Sequence, residues 1–419
     1  MRWPNITLSQ DGRLGDSLVL RDNKNFAPRI GIAWSPNPKW AIRAAAGTFY
    51  NQDQGNPWFD VGRNAAGRSR NDDNPSFPAE TWVNGIGGAG GANAIIVTPQ
   101  AFSMKFDRRT PVSHQYLFNV QRELAGNLVF EVGYLGSISH HLESYRGVSA
   151  AVPGPGTVAS RSPYPNFGLL VLVDDGANGN YNSMGSKLTK RFSNGVTALI
   201  GYTWSKSIDE TSGVRTEDSD SLFSQNGNCL RCERGLSAFD NRHRLVMSGL
   251  YDLPAGTGRK LDIRNRFANA LLGDWQLGSI ITWRSGFPVN ATDGINRANT
   301  NIGVDRPNAT GVSQSLSNRS TAEWFNTAAF MLQPLYAFGN VGRNAVIGPP
   351  GFYWDFSTHK DFRLPNEHHQ LQFRWEAFNV LNHPAWGLPN TSLTSPQFGQ
   401  ITSTNGNMRQ MQFALKYVF

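Results

Sequence analysis

Apolar and polar residues alternate with a period of two in many separate segments of this chain. Successive side chains of a β-strand point to opposite faces, so the alternation predicts strands with one apolar and one polar face. Most of these segments come in pairs joined by a short turn, and a long polar stretch follows each pair. We count about eleven predicted strands, at residues 29–34, 40–50, 115–123, 128–136, 183–192, 196–206, 243–254, 274–286, 353–362, 371–378 and 410–419.

The connections between the predicted strands are of two kinds. Those inside a pair are tight, as at Asn194 and Gly195, which both tolerate the positive φ that a two-residue hairpin turn requires. Soluble sandwiches do not sort their connections by length, and a propeller would repeat at a fixed period. Membrane barrels do sort them, with short periplasmic turns and longer extracellular loops. Long connections, rich in Gly, Asn, Ser and Asp, follow Tyr50, Gly136, Lys206, Gly286 and Asn379.

The spacing of aromatic residues fits a bilayer. Trp275 and Trp283 share a predicted strand face, and at about 3.3 Å per residue and a tilt near 40° they stand roughly 20 Å apart along the membrane normal. The alternative is a sandwich core with aromatic ends. In a barrel the intervening polar residues face the lumen, because charges facing lipid at mid-depth are costly. The predicted lumen-facing residues are Arg43, Gln121, Glu131, Lys187, Arg374 and Glu376.

The composition agrees with a strand-rich membrane protein. Only 39% of the 419 residues are hydrophobic, while 43 are glycine and 11% are aromatic, which favours strands and turns over a helical bundle. The longest apolar runs, such as residues 169–173, are far shorter than the roughly 18 residues of a membrane helix. The formal charge of +8 is spread along the chain without a dense basic patch, so we predict no nucleic-acid partner.

The sequence offers little catalytic or metal chemistry. No GxSxG, HExxH or GxxxxGK[ST] motif is present, so we predict no enzyme activity and no cofactor. The acidic residues 209–221 do not have the spacing of a calcium loop, and we expect a solvated acidic loop there. Trp58, Trp82 and Trp324 are candidates for stacking on a sugar, but packing within the loops is the favoured interpretation.

Cys229 and Cys232 are the two cysteines of the chain and form a single CxxC motif. Such a motif is compatible with a redox pair, half of a zinc site or a local disulfide, and spacing alone does not decide between them. No second CxxC or His pair completes a zinc site, and no βαβ context supports a redox pair. We therefore expect a local disulfide in an exported loop, with two free thiols as the alternative.

Nine motifs follow one another along the chain: NFAPRIGIAWSP, IRAAAGTFY, QYLFNVQREL, VFEVGYLGS, YNSMGSKLTKRFSNG, YTWSKSID, ERGLSAFDNRHRLVMSGLYDLP, GDWQLGSIITWRSGFP and FRWEAFNVLNHPAWG. Taken in this order, they resemble the barrel of TonB-dependent outer-membrane receptors, and the Oar-like subgroup is the most similar. The resemblance runs from about residue 25 to residue 419. It implies the cell outer membrane as the location and outer-membrane lipid as the surrounding medium.

The resemblance also gives a role to the end of the chain. Barrels of this class end in a strand whose terminal aromatic residues are recognised by the barrel assembly machinery, and Tyr417 and Phe419 occupy these positions. The pattern often carries glycine three residues before the first aromatic residue, where this chain has Ala414. The resemblance therefore implies an assembly signal at Tyr417 and Phe419.

Receptors of this family resemble 22-stranded barrels with a plugged lumen. We therefore expect residues 1–419 to be the carboxyl-terminal portion of such a barrel, roughly half of it, without the plug domain, the TonB-contacting segment or a secretory signal. The implied function is uptake across the outer membrane, with TonB acting only through the missing amino-terminal part. The extracellular ligand is a carbohydrate, a peptide or a metal chelate. A surface adhesion or structural protein without active transport is the alternative.

Overall fold

The structure, a computed structural model, describes residues 19–51, 61, 101–165, 168–213, 223–303, 305–363 and 369–419. The helices α1 (Val158–Arg161) and α2 (Arg266–Leu272) and the 3-10 turns Leu230–Glu233 and Thr327–Ala329 accompany the strands in these ranges. The strands are β1 (Arg29–Trp34), β2 (Trp40–Tyr50), β3 (Ala101–Met104), β4 (Val112–Leu124), β5 (Leu128–Gly147), β6 (Leu170–Ser193), β7 (Val196–Asp209), β8 (Gly235–Leu236), β9 (His243–Asp252), β10 (Ala255–Gly256), β11 (Leu261–Asp262), β12 (Trp275–Arg284), β13 (Pro288–Val289), β14 (Asn308–Ala309), β15 (Phe330–Met331), β16 (Val346–Ile347), β17 (Gly351–Arg363), β18 (Gln370–Phe378) and β19 (Gln410–Val418).

One 13-stranded sheet dominates the fold, and all eleven predicted strands belong to it. The order of its main path is β1-β2-β4-β5-β6-β7-β9-β12-β17-β18-β19. Neighbours in this order are hydrogen-bonded, and the order follows the sequence without a crossover. Every neighbouring pair on the path is antiparallel, as in an up-and-down barrel wall. The predicted all-β, antiparallel fold is confirmed. In the part of the chain that the structure describes, β1 and β19 are the edges of this sheet.

Two short strands join the sheet beside this path and were not predicted. Strand β3 pairs with β6 in parallel, the one parallel pairing found in this sheet among the described residues, and β8 pairs with β7. Segments of two to four residues are too short to show a periodic pattern, so their pairing follows from the longer strands beside them. None of the described helices is long and apolar enough to cross a membrane.

Strand register gives the sheet an apolar face and a polar face. Residues paired across neighbouring strands lie on the same face, so the character of each face follows from the register. On the apolar face, Ile42 pairs with Val120 and Val120 pairs with Val132. On the polar face, Glu131 lies between Gln121 and Lys187. Most positions of the eleven strands keep this separation, as the sequence pattern predicted. Exceptions are Arg122 and Lys360 on the apolar face and Ile280 on the polar face.

The polar face carries hydrogen bonds and ion pairs, most of which join neighbouring strands. Its closest charge pair is Lys187 with Glu131, at 2.9 Å. These contacts satisfy charges that a membrane barrel tolerates only toward its interior. Further contacts on this face join Arg43 to Gln121 at 3.0 Å, Asn119 to Glu131 at 3.0 Å, Gln276 to Asp252 at 2.5 Å, Gln372 to Asp361 at 2.8 Å and Arg374 to Glu376 at 3.7 Å.

The apolar face carries aromatic residues near both ends of the strands. At the end where the long loops begin, the ring of His243 lies between Tyr202 and Trp283, with ring centroids 6.2 and 6.4 Å apart. At the end where the tight turns lie, Arg122 stacks over Trp40 at 4.8 Å. Aromatic residues at two levels are typical of the interfaces on either side of a bilayer. These two ends are called the loop side and the turn side below.

The hairpin of β5 and β6 is longer than the sequence pattern predicted. Strands were expected to end near Gly136 and to begin again at residue 183, but pairing continues to Gly147 and from Leu170. Register shifts near Leu142 interrupt the ladder, which removes the regular alternation from the sequence. The run at residues 170–173 is apolar at every position because Val171 and Val173 are buried in the same cluster as Leu169 and Phe102, so it too lacks a period of two.

Candidate functional site

The long connections on the loop side pack into an ordered assembly, which we call the loop-side cap: the described parts of residues 210–242, 285–350 and 379–409. A buried apolar core holds it together, and the rings of Phe325, Phe330 and Phe398 meet edge to face at 5.1–5.6 Å. Connections longer than about 12–15 residues with little secondary structure are uncommon and are usually either functional or disordered. The buried core residues are Val289, Ala291, Trp324, Phe325, Ala329, Phe330, Val341, Val346 and Ile401.

Trp324 belongs to this core. Its ring is only 9% exposed, and its Nε1 donates a hydrogen bond to the carbonyl oxygen of Ile347 at 2.9 Å. A ring enclosed in this way has no free face on which a sugar could stack, so the packing interpretation holds for Trp324. Trp58 and Trp82, the other two candidates, lie outside the described residues.

A buried ion pair joins two loops of the cap. The guanidinium of Arg306 donates to both carboxylate oxygens of Glu233, at 2.5 and 3.2 Å, and both residues are at most 4% exposed. Gln225 completes the group, because its Oε1 accepts the backbone N–H of Arg306 and its own backbone N–H donates to Glu233. This bidentate geometry fixes the distance between the loops and leaves neither charge uncompensated.

A second buried arginine connects the cap to the barrel wall. Arg343 forms an ion pair with Asp209, the last residue of β7, and its Nε donates to the carbonyl oxygen of Glu233 at 2.7 Å. The neighbouring Glu210 accepts hydrogen bonds from the backbone and side chain of Asn178. The expectation of a solvated acidic loop is therefore wrong for Asp209 and Glu210, because both carboxylates are buried against partners from distant parts of the chain, a cap loop for Asp209 and β6 for Glu210. Residues 214–222 lie outside the described residues.

Cys229 and Cys232 lie in the same part of the cap. They form a disulfide with Cα atoms 5.3 Å apart, at the 3-10 turn Leu230–Glu233. Glu233 follows directly and carries the ion pair with Arg306. The covalent link therefore restrains the short segment that presents Glu233 to its partner.

Two buried carboxyl groups lie in the cap loop between β12 and β17. Asp293 accepts from Gln333 Nε2 at 2.7 Å, and Asp305 accepts from the backbone N–H of Ala298 at 2.6 Å. Burial raises the pKa of both carboxyl groups, and the charge of Asp293 adds to the effect on Asp305. A carboxyl group whose pKa is raised by folding stabilises the folded state at low pH and loses that contribution as the pH rises through the raised value. These two groups therefore favour the cap at acidic pH.

The extended hairpin of β5 and β6 has its own set of ion pairs. Arg146 pairs with Asp174 at 2.7 Å, and Lys105 pairs with Asp175 at 2.5 Å. The hydrogen bond with Asp175 raises the pKa of Lys105, so this ion pair persists across the neutral range. The pairs surround the small core of Tyr145, Val171 and Val173 and stiffen the hairpin beyond the wall.

The residues that hold the cap were not identified from the sequence. Arg306, Arg343 and Glu233 lie in segments without periodicity, and their partners come from loops tens of residues away, so no local pattern marks them. The composition of the loop from residue 285 to 350 does indicate a packed structure, because it contains Trp324 and several phenylalanines, and solvated linkers contain few aromatic residues.

Tyr417 and Phe419 lie on the apolar face at the turn side. Tyr417 pairs with Leu371 across β18, its ring stacks on His369 with centroids 5.6 Å apart, and its hydroxyl lies 2.6 Å from Nδ1 of that histidine. Phe419 stacks on Tyr417 at 5.9 Å and remains 88% exposed. The assembly signal stays a prediction, and the geometry leaves both aromatic residues accessible to a partner.

Deleting Phe419 should reduce the amount of inserted protein while hardly changing the stability of the molecules that are inserted. A well-packed aromatic residue would cost about 3–5 kcal/mol when removed, but Phe419 is largely exposed, so its packing loss is small. The measurements are surface abundance in cells and the urea midpoint of the purified protein. Phe413→Ala, in β19 on the same apolar face, is the matched control and should leave abundance unchanged. Normal abundance with a lowered midpoint after the deletion would show that Phe419 acts through packing alone.

The fold is similar to that of a solved outer membrane transporter. No curated protein matches the chain. Among solved structures, the outer membrane transporter YddB from Escherichia coli is similar with a TM-score of 0.51 and 12% identity, over 94% of this chain and 40% of the transporter. A structure of FpvA from Pseudomonas aeruginosa bound to a heterologous pyoverdine matches with a TM-score of 0.47 and 10% identity, over 95% of this chain and 33% of the receptor. The chain thus spans 40% or less of the length of these proteins.

The amino-acid sequence matches the model of a protein family. The model of the outer membrane beta barrel domain matches residues 4–412, which is nearly the whole chain. The polar face, the aromatic levels and the sorted connections are the features that this architecture requires. The protein is located in the cell outer membrane, with its apolar face toward lipid, and the chain belongs to the outer membrane beta barrel domain family.

Proposed function

We propose that the chain forms barrel wall and cap of a TonB-dependent receptor, most similar to the Oar-like subgroup, which takes up a ligand across the outer membrane. The observation that carries the proposal is the loop-side cap, which has an apolar core and two buried ion pairs of its own. Ordering long loops costs conformational entropy, and a fixed loop surface is what recognition of a ligand requires. The proposal assigns the protein no catalytic step.

The polar face of the sheet is a second observation that supports the transport proposal. Its charged and amide side chains, such as Arg43, Glu131 and Lys187, are paired with one another but remain partly accessible. An interior of this kind suits a barrel whose lumen holds water or a plug domain. TonB would act through a plug, the barrel assembly machinery would insert the wall, and the ligand would be a carbohydrate, a peptide or a metal chelate.

Uptake can be tested with cells that produce the complete receptor, including the plug through which TonB would act, and that are given a defined mixture of ferric chelates, oligosaccharides and peptides. We expect one class of compound to disappear from the medium, and this depletion should be lost in a strain without TonB. An Arg306→Ala variant at equal surface abundance should also deplete the compound more slowly, because the cap loses its fixed shape.

The adhesion alternative makes a different prediction in the same experiment. A structural or adhesive protein would show equal surface binding with and without TonB, and no compound would be depleted. That outcome would refute the transport proposal. A strain that lacks the protein altogether gives the background for both measurements.

A further inference from the structure

The connection between β9 and β12 is unlike the other turns of the turn side. It spans residues 253–274 and contains β10, β11 and helix α2, whereas the turn between β6 and β7 needs only Asn194 and Gly195. The side chain of Asn265 caps the helix by accepting the backbone N–H groups of Phe267 and Ala268. The helix ends at Leu272, and its C-cap Gly273 lies next to the start of β12. This connection is therefore much larger than a hairpin needs, and it forms a small structure of its own on the turn side.

Helix α2 is fixed to the apolar face of the barrel wall. Trp275 and Lys360 pair with each other across β12 and β17 on that face. Nε1 of Trp275 donates to the carbonyl oxygen of Leu271 at 2.8 Å. Nζ of Lys360 donates to the carbonyl oxygens of Asn269, at 2.8 Å, and Gly273. The last carbonyl groups of the helix thus accept from a lysine that would otherwise face lipid, and Lys360 is only 3% exposed.

The outer side of the helix is apolar and exposed. Phe267 is 83% exposed and Leu271 72%, and the two are four residues apart, so they project from the same side. Leu272 adds a third exposed apolar side chain. The segment around them is basic, with four cationic residues against the two carboxylates of Asp262 and Asp274. The cationic residues are Arg259, Lys260, Arg264 and Arg266.

We propose that helix α2 lies in the bilayer leaflet on the turn side, with Phe267, Leu271 and Leu272 among the upper acyl chains and the basic residues at anionic phospholipid headgroups. The apolar side of the helix continues the lipid-facing surface of the wall, since its C-terminal end is bonded to Trp275 and Lys360 of that surface. A short helix with an apolar side and flanking Lys and Arg binds in the interfacial plane of a membrane. The basic residues favour anionic lipid by electrostatic attraction. The helix therefore anchors the wall at a defined depth.

Depth-dependent fluorescence quenching tests this proposal in the protein reconstituted into phospholipid vesicles. Leu271→Cys would carry an environment-sensitive fluorophore, since the two native cysteines are joined in a disulfide and leave the new thiol unique. We expect a blue-shifted emission and strong quenching by lipids brominated near the headgroup end of the acyl chain. Ser35→Cys, in the turn between β1 and β2, is the control for a turn-side site in water. A Leu271 label quenched by aqueous iodide as readily as the Ser35 label would overturn the proposal.

The attraction between the basic residues and anionic lipid can be measured separately. Raising the phosphatidylglycerol content of the vesicles should increase the blue shift of the Leu271 label, and the double variant K260A/R266A should lose this dependence. Emission that does not change with anionic lipid in the parent protein would refute the role of the basic residues. Both labelled sites are exposed, so the substitutions leave the packed parts of the fold unchanged.

Discussion

Replacing Arg306 with alanine should release the loop-side cap from its fixed arrangement. Glu233 is 2% exposed and would remain buried without its cationic partner, a change that typically costs about 3–5 kcal/mol. The backbone N–H of Gln225 still donates to Glu233, so the carboxylate keeps one hydrogen bond but not its charge balance. We expect the loops that contain residues 225–233 and 305–341 to open together.

Hydrogen exchange of the folded protein measures this effect loop by loop. In the Arg306→Ala variant, amide protons of the cap should exchange faster by orders of magnitude, while those of β17 and β18 keep the rates of the parent protein. Arg264→Ala is the matched control, because its ion pair with Asp262 is exposed and contributes little. If the two variants show the same exchange in the cap, the buried ion pair does not hold the loops in place.

The long strands of the wall could be predicted from the sequence because burial in lipid imposes a strict period of two. Ile42, Val120 and Val132 all lie on the apolar face, and each has at least one polar neighbour, Arg43, Gln121 and Glu131, on the opposite face, so the pattern is visible in the sequence. The extended part of the β5–β6 hairpin was not predicted. It lies beyond the membrane, and residues 170–173 are packed on both sides, so no alternation is imposed on it. The alternation that lipid imposes therefore explains why the wall strands could be predicted and why the extended hairpin could not.

The cap could not be predicted, for a different physical reason. Its stability comes from pairs such as Arg343 with Asp209, which are 134 residues apart in the chain, and Arg343 lies in a segment without regular structure. A single sequence shows that such residues exist but not which loops come together. Helix α2 was missed likewise, since its seven residues are too few for a helical period to stand out.

A charge placed on the apolar face should destabilise the protein much more than the same charge placed one residue earlier. Ile281 pairs with Met247 and Trp354 on the apolar face, whereas Ile280 pairs with Ser248 and Asp355 on the polar face. An arginine between the bilayer midplane and the interface costs about 2 kcal/mol when it faces lipid. Facing the lumen, arginine at position 280 stays hydrated and lies beside the carboxylate of Asp355.

The measurement is the free energy of unfolding in urea of the two variants, Ile281→Arg and Ile280→Arg, in protein folded into phospholipid vesicles. The two substitutions are identical in chemistry and differ only in the face of the sheet that receives the charge. We predict that Ile281→Arg loses about 2 kcal/mol relative to the parent protein while Ile280→Arg stays close to it. Equal losses in the two variants, or a larger loss for Ile280→Arg, would contradict the assignment of the apolar face to lipid and of the polar face to the lumen.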